Sequence, residues 1–127
     1  MLVKKVTYTD YKGVKREEEL YFNLSKAEVA EMELSHDGGL SEHIKKIVSA
    51  QSGKDIIALF KDLIIKSYGV ISDDGKRFIK NDKLREEFVQ TEAYSDLFME
   101  LASDADAASA FVNGIIPQVE NKVETKK

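Results

Sequence analysis

The feature that most constrains this chain is a change of hydrophobic period between Leu24 and Ser25. Before it the sequence alternates. "VKKVTYT" sets Val3, Lys5, Thr7 and Thr9 on one side of an extended segment and Lys4, Val6 and Tyr8 on the other, the two-residue repeat of a strand. "DYKG" follows as a turn, with Asp10 first and Gly13 last, as a type I turn prefers. "VKREEELYFNL" then resumes, charged at its start and apolar at its end, at Leu20, Phe22 and Leu24. Residues 4–24 therefore read as a β-hairpin. Its charged portion, residues 15–19, faces water or guards a sheet edge against pairing.

After Leu24 the period becomes helical. Ser25 and Glu28 match the capping box, in which each side chain satisfies the other's free backbone N–H, and Leu24 is placed to staple onto Val29. A helix is predicted from Lys26 to "SHDGG", where Gly38 or Gly39 can take the left-handed stop conformation. "GLSEHIKKIVSAQSG" sets Leu40, Ile44, Ile47 and Val48 on one stripe, a second helix that Gly53 closes. "KDIIALFKDLIIKSYG" is the most apolar element, with Ile56, Ile57, Leu59, Phe60, Leu63, Ile64, Ile65 and Tyr68. A helix apolar on most sides is usually central, and Gly69 is its expected C-cap. "DKLREEFVQT" predicts a short helix with Asp82 as N-cap and Leu84, Phe88 and Val89 inward. Thr91 caps "EAYSDLFMELAS", where Tyr94, Leu97, Phe98 and Leu101 give the i, i+3, i+4, i+7 pattern. Asp104 or Asp106 caps "AASAFVNGII", where Ala108, Phe111, Val112 and Ile115 repeat it, and Pro117 ends it.

The expected fold is α+β, mostly α: an N-terminal β-hairpin followed by a bundle of about six short helices. A length of 127 residues suits one domain. Residues 1–117 are expected to form a single globular domain and residues 118–127 a flexible tail. Hydrophobic residues make up 43%, enough for a core, and the formal net charge of -4 disfavours nucleic acid as the main partner. The absence of cysteine excludes disulfides and thiolate chemistry. The N-terminus lacks the apolar run of a signal peptide, and no window approaches the roughly 20 apolar residues that span a bilayer. The chain is thus expected to be made and kept in a cytosol, with no membrane partner.

Candidate chemical motifs fail on named positions. His36 and His43 in "SHDGGLSEH", with Asp37 and Glu42, have no spacing with a known metal-binding mechanism. "SDDGK" resembles the start of a calcium loop, but counting from Asp73 puts Gly75, Arg77 and Leu84 where oxygen ligands belong. "GVISDDGKR" is one residue too long for a phosphate loop, and Arg77 replaces the hydroxyl residue. Glu17, Glu18 and Glu19 form a solvated charge run, and helical geometry turns Glu100 away from the Leu97/Leu101 stripe. Nothing supplies a nucleophile with a positioned base, so no catalytic residue, cofactor or metal is expected and the chain does not read as an enzyme. "SYGVISDDGKRFIKND" instead predicts a small second hairpin near residues 70–80. Asp74-Gly75 forms its turn with Gly75 at positive φ, Val70 and Phe78 or Ile79 are buried, and Lys76 and Arg77 lie in water.

What remains is apolar surface on the last two helices: Tyr94, Leu97, Phe98, Met99, Leu101, Phe111, Val112, Ile115 and Ile116. The plain reading is that they complete the core. The sharper one is that some form a partner-binding or self-association face. Met99 lies off the main stripe, where a flexible methionine suits an adaptable surface.

Across most of its length, from about Tyr8 to Pro117, the sequence resembles tail assembly chaperones of long-tailed, siphovirus-type bacteriophages. "YFNLSKAE", "SYGVISDDGKRFIK" and "FVNGIIP" carry the resemblance most specifically. It implies a non-enzymatic protein of the host bacterial cytoplasm that binds the tape measure protein, keeps it soluble during tail assembly, and is absent from the mature virion. It also implies a homo-oligomer and a longer form made by ribosomal frameshifting. The alternative is a virion structural protein of the tail or head–tail connector, its hairpin pairing with a neighbouring subunit.

Overall fold

Alternating residues on both sides of one tight turn build the first hairpin. In the computed structural model, which describes residues 1–34 and 53–117, strand β1 (Leu2–Thr9) pairs antiparallel with β2 (Lys15–Phe22), from Leu2↔Phe22 to Thr9↔Lys15. Asp10 organises the turn. Its carbonyl accepts from Gly13 N–H at 2.9 Å, and its carboxylate accepts from the N–H groups of Lys12 and Val14, both at 2.9 Å, and from Arg16 Nε at 2.8 Å. Leu2, Val6 and Tyr8 turn inward, Val3, Lys5, Thr7 and Thr9 outward. On β2, residues 15–19 are exposed, while Leu20 and Phe22 are buried.

The chain continues through α1 (Lys26–Leu34), α2 (Gly53–Ser67), β3 (Tyr68–Ile71), β4 (Phe78–Ile79), α3 (Asp82–Val89), α4 (Glu92–Ser103) and α5 (Ala105–Ile115). The fold is α+β, with five helices among the described residues. The helix expected through Leu40, Ile44, Ile47 and Val48 lies outside the described residues, as do His36, His43 and residues 118–127. The capping box forms as expected: Ser25 N–H donates to Glu28 Oε1 at 2.8 Å and Glu28 N–H to Ser25 Oγ at 3.1 Å. Thr91 and Asp104 cap α4 and α5.

The second hairpin forms near residues 70–80, but it is part of a larger sheet. The strand order is β1-β2-β3-β4, and β3 pairs β2 only at Tyr21↔Gly69 and Phe22↔Tyr68. Among the described residues the charged half of β2 has no strand partner on that side, and its charges oppose pairing with another chain. Several local expectations are corrected. Gly69 is not a C-cap, because α2 runs directly into β3. It is glycine for space: a Cβ there would lie 2.7 Å from Phe78 Cε2 and 2.9 Å from the Ile79 carbonyl oxygen. Val70 is 39% exposed rather than buried, because β3 and β4 share only two residue pairs beyond the end of β2. The turn is Ser72-Asp73-Asp74-Gly75, closed by Gly75 N–H to the Ser72 carbonyl at 2.9 Å, with Gly75 at φ 77° as expected. Asn81, not Asp82, caps α3, accepting from Leu84 N–H at 2.8 Å, and Asp82 is the first helical residue. Gly53, expected to close the preceding helix, is the first residue of α2. That helix is not enclosed on most sides either: Leu59, Leu63 and Ile64 are buried, but Ile57 is 46% exposed.

The core forms where β2 ends. Phe22 is fully buried, with ring centroids 5.8 Å from Tyr68, 6.0 Å from Phe88 and 5.3 Å from Phe111. The next two backbone N–H groups bind helix ends: Asn23 donates to the Ser67 carbonyl at 2.8 Å and Leu24 to the Ile115 carbonyl at 2.9 Å. Helix α4 packs against α2, α3, α5 and β1. A second tether comes from β4's far end. Lys80 Nζ, on a side chain only 11% exposed, donates to Glu28 at 2.7 Å and to the Asn23 carbonyl at 2.7 Å, holding α1 to the sheet.

Gly75→Val is expected to cost about 1–2 kcal/mol, because only the left-handed backbone is strained there. Gly69→Ala is expected to cost about 1–3 kcal/mol through overpacking against the Phe78 ring and the Ile79 carbonyl. Urea denaturation of both variants measures this. The Glu28–Lys80 contact adds a pH dependence. Burial raises the Glu28 carboxyl, but the Lys80 hydrogen bond and the Ser25 N–H outweigh it and leave it below its ordinary value. Burial lowers the Lys80 ammonium more than Glu28 raises it. A carboxyl lowered on folding stabilises fully above its unfolded pKa of about 4.3, and this contribution disappears as pH falls through the lower folded value. Glu28→Gln should therefore flatten the acid limb of a stability–pH profile.

Candidate functional site

The open apolar feature of the surface arises where α4 turns into α5. Asp104 alone separates the two helices, and its carboxylate accepts from Asp106 N–H at 3.0 Å and Ala107 N–H at 3.2 Å. This side-chain cap satisfies the first donors of α5 within a one-residue corner. The two helices then lie side by side with small residues facing α2: Ala102, Ala105, Ala108 and Ser109. Helix α2 supplies Ile56 and Phe60, one turn apart, and Val112 forms part of the α5 wall. Alanine where leucine would fill the space leaves a groove of about 490 Å³, open to solvent.

The groove is mainly apolar. Its polar lining is Ser103, Ser109 and Asn113, and the Ser103 hydroxyl donates to the Met99 carbonyl one turn back. Among the described residues no charged side chain lines it. Such a surface can bury apolar side chains of another molecule, but it offers no convergent polar set of the kind that orients a small substrate.

The nine residues singled out from the sequence divide by burial. Leu97, Leu101, Phe111 and Ile115 lie in the core, Leu97 at 1% exposure and Leu101 with an edge on the groove. Tyr94, Phe98, Val112 and Ile116 are half-buried against that core. Tyr94 meets Phe88 edge-on at 5.4 Å and Phe98 at 6.1 Å. Met99 stands 58% exposed, one turn before Ala102 and Ser103. The structure brings Val112 and Leu101 to the groove. Sequence reasoning missed Ile56, Phe60 and the alanine floor as groove residues. The available signals were the extra apolar positions of α2 and the alanine-rich "ELASDADAASAF".

Among the described residues no cluster of three or more His, Asp or Glu side chains is arranged to hold a metal, and no helix is long and apolar enough to cross a membrane. The fold and groove thus define a small α+β protein whose distinguishing surface is a recess for apolar side chains. A family model described as phage tail assembly chaperone matches residues 1–127, and the chain belongs to that family. No curated protein and no solved structure matches it.

Burial separates core from surface within α4. Leu97→Ala should destabilise the protein by about 2–5 kcal/mol, whereas Met99→Ser should change stability by no more than about 0.5 kcal/mol. Thermal melts of the two variants side by side measure the difference.

Proposed function

We propose that the protein binds the tape measure protein during phage tail assembly and keeps it soluble, without catalysing a reaction. Membership of the tail assembly chaperone family over the whole sequence carries this reading, and the open apolar groove supports it with a surface of the required chemistry. The client face is the groove with the neighbouring Phe98, Met99, Val112 and Ile116. Tyr94 takes part from the far end of α4, and the buried Leu97, Leu101, Phe111 and Ile115 hold the helices that present it. Residues 1–117 act as one folded unit and residues 118–127 as a tail. The protein works in the host cytoplasm as a homo-oligomer, beside a longer frameshifted form of itself, and leaves before the virion is complete.

Among the described residues the eight-residue β1 is an edge strand of the sheet, which favours a second reading, a virion component that pairs strands with a neighbouring subunit. Mass spectrometry of purified virions separates the two, since a chaperone is missing from the particle and a connector is present. Co-expression with the tape measure protein tests the first directly. The expected result is a soluble complex on size exclusion with light scattering, and loss of soluble tape measure protein when the chaperone is omitted. A tape measure protein equally soluble alone, with no complex formed, would overturn the proposal.

A further inference from the structure

The two ends of the sheet differ. β4 closes one end with two residues, Phe78 and Ile79, a strand too short to receive another. β1 closes the other with eight residues in unbroken register with β2 and no proline. The alternation of hydrogen bonds shows which backbone groups that end presents. Asp10 N–H donates to the Val14 carbonyl at 2.8 Å, towards β2, and Asn23 N–H donates away from β1, to the Ser67 carbonyl. Successive residues of an antiparallel ladder direct their N–H and C=O groups to opposite sides. Counting back from Asp10, the even-numbered residues of β1 bond to β2. The N–H and C=O groups of Val3, Lys5, Thr7 and Thr9 therefore lie along the outer edge, where among the described residues no strand meets them.

Edge strands are commonly guarded by charge, and β1 carries two lysines. Both are engaged within the chain. Helices α4 and α5 carry carboxylates and no lysine, arginine or histidine, and Lys4 pairs with Glu100 of α4 at 3.2 Å. Lys5 pairs with Glu17 of β2 at 3.6 Å. On β2, by contrast, the run Glu17 to Glu19 sets like charges side by side. Val3, Val6, Thr7, Tyr8 and Thr9 of β1 are the β-branched and aromatic types that suit a strand pair.

We infer that β1 pairs antiparallel with β1 of a second copy of this chain, about a two-fold axis at Val6. The direction of the free backbone groups and the lysine positions select this register. Val6 then faces Val6 of the other copy, Lys5 faces Thr7, Lys4 faces Tyr8 and Val3 faces Thr9. The Lys5–Thr7 and Val3–Thr9 pairs bring the free N–H and C=O groups together and carry the hydrogen bonds. An axis at Lys5 would set lysine against lysine, and an axis at Thr7 would run Val3 past the end of the other strand. A second copy also supplies a strand of equal length already formed, which avoids the ordering cost of a flexible peptide. Each sheet has one long edge strand and one blunt end, so the pairing closes as a dimer with one continuous sheet and does not propagate. This rests on the homo-oligomer within the proposed function and adds the surface that joins the copies.

Sedimentation of the purified protein alone should show a monomer–dimer equilibrium. Thr7 is exposed and lies opposite Glu17 within its own chain. Thr7→Lys should therefore melt no lower than the parent at dilutions where both are monomers. In the dimer the new lysine meets Lys5 of the other copy on both sides of the axis, and the dissociation constant should rise about tenfold. Thr7→Glu should act in reverse, destabilising the monomer beside Glu17 and tightening the dimer. Val6→Cys, in a chain without cysteine, should give a disulfide-linked dimer on mild oxidation, because facing residues of a non-hydrogen-bonded pair lie within disulfide reach. Thr9→Cys, far from the axis, should not. Hydrogen exchange at the N–H groups of Val3, Lys5, Thr7 and Thr9 should slow as concentration rises. A strict monomer at every concentration overturns the inference and the homo-oligomer with it. Slow exchange at those four groups in such a monomer would place another segment of the chain on the edge. An oligomer that Thr7→Lys leaves intact and Val6→Cys fails to crosslink overturns this interface alone. A tape measure protein that forms no complex with a protein dimerised in this way sinks the client and leaves the dimer standing.

Discussion

Burial of Phe22 at the end of β2 is the contact on which the rest of the structure depends. Its ring meets Tyr68 from β3, Phe88 from α3 and Phe111 from α5, so three segments distant in sequence converge on one side chain. Tyr68 and Phe88 stack at 4.1 Å behind it. Aromatic side chains bury large areas and add a preference for defined ring geometry, which suits a small domain that has little core to spare. The backbone immediately after Phe22 completes the junction, because Asn23 and Leu24 donate to the last carbonyls of α2 and α5. Those carbonyls would otherwise be helix-end acceptors without partners.

That junction positions the groove. Helix α5 is held by Phe111 and Ile115 at its C-terminal half, and α4 by Leu97 and Leu101. Their shared corner lies at Asp104. Residues close to the junction are large and buried, and those at the corner are small and exposed. The apolar surface is thus left at the end of the hairpin, where α2 supplies the opposite wall. Core and groove thus share the same two helices, with Leu101 and Val112 touching both.

Local signals decide the structure where one short segment contains the interacting parts and no neighbour competes for the same role. The Asp10–Gly13 turn, the Ser25/Glu28 box, the Thr91 cap and the positive φ of Gly75 each depend on residues within a few positions of one another. Errors arose where the deciding partner was distant or where two neighbours competed. Gly69 looked like a helix stop, but the Phe78 ring on the adjacent strand explains it. Asp82 looked like a cap, but Asn81 occupies the extended position before the helix. The apolar stripe of α4 and α5 was legible, yet periodicity could not separate the buried Leu97 from a groove residue such as Val112, since both lie on apolar faces.

The sequence by itself determined the α+β class, the positions of both hairpins and most helix boundaries, because hydrophobic period, turn residues and caps act over a few residues. It also determined the charge asymmetry of the last two helices, which composition alone contains. Only the tertiary structure decided that the two hairpins share one sheet, through two residue pairs between β2 and β3. It alone decided, too, that α2 faces the α4–α5 corner across a groove. Both depend on contacts between residues far apart in the chain, and no local preference encodes which distant surface a strand or an apolar stripe will meet.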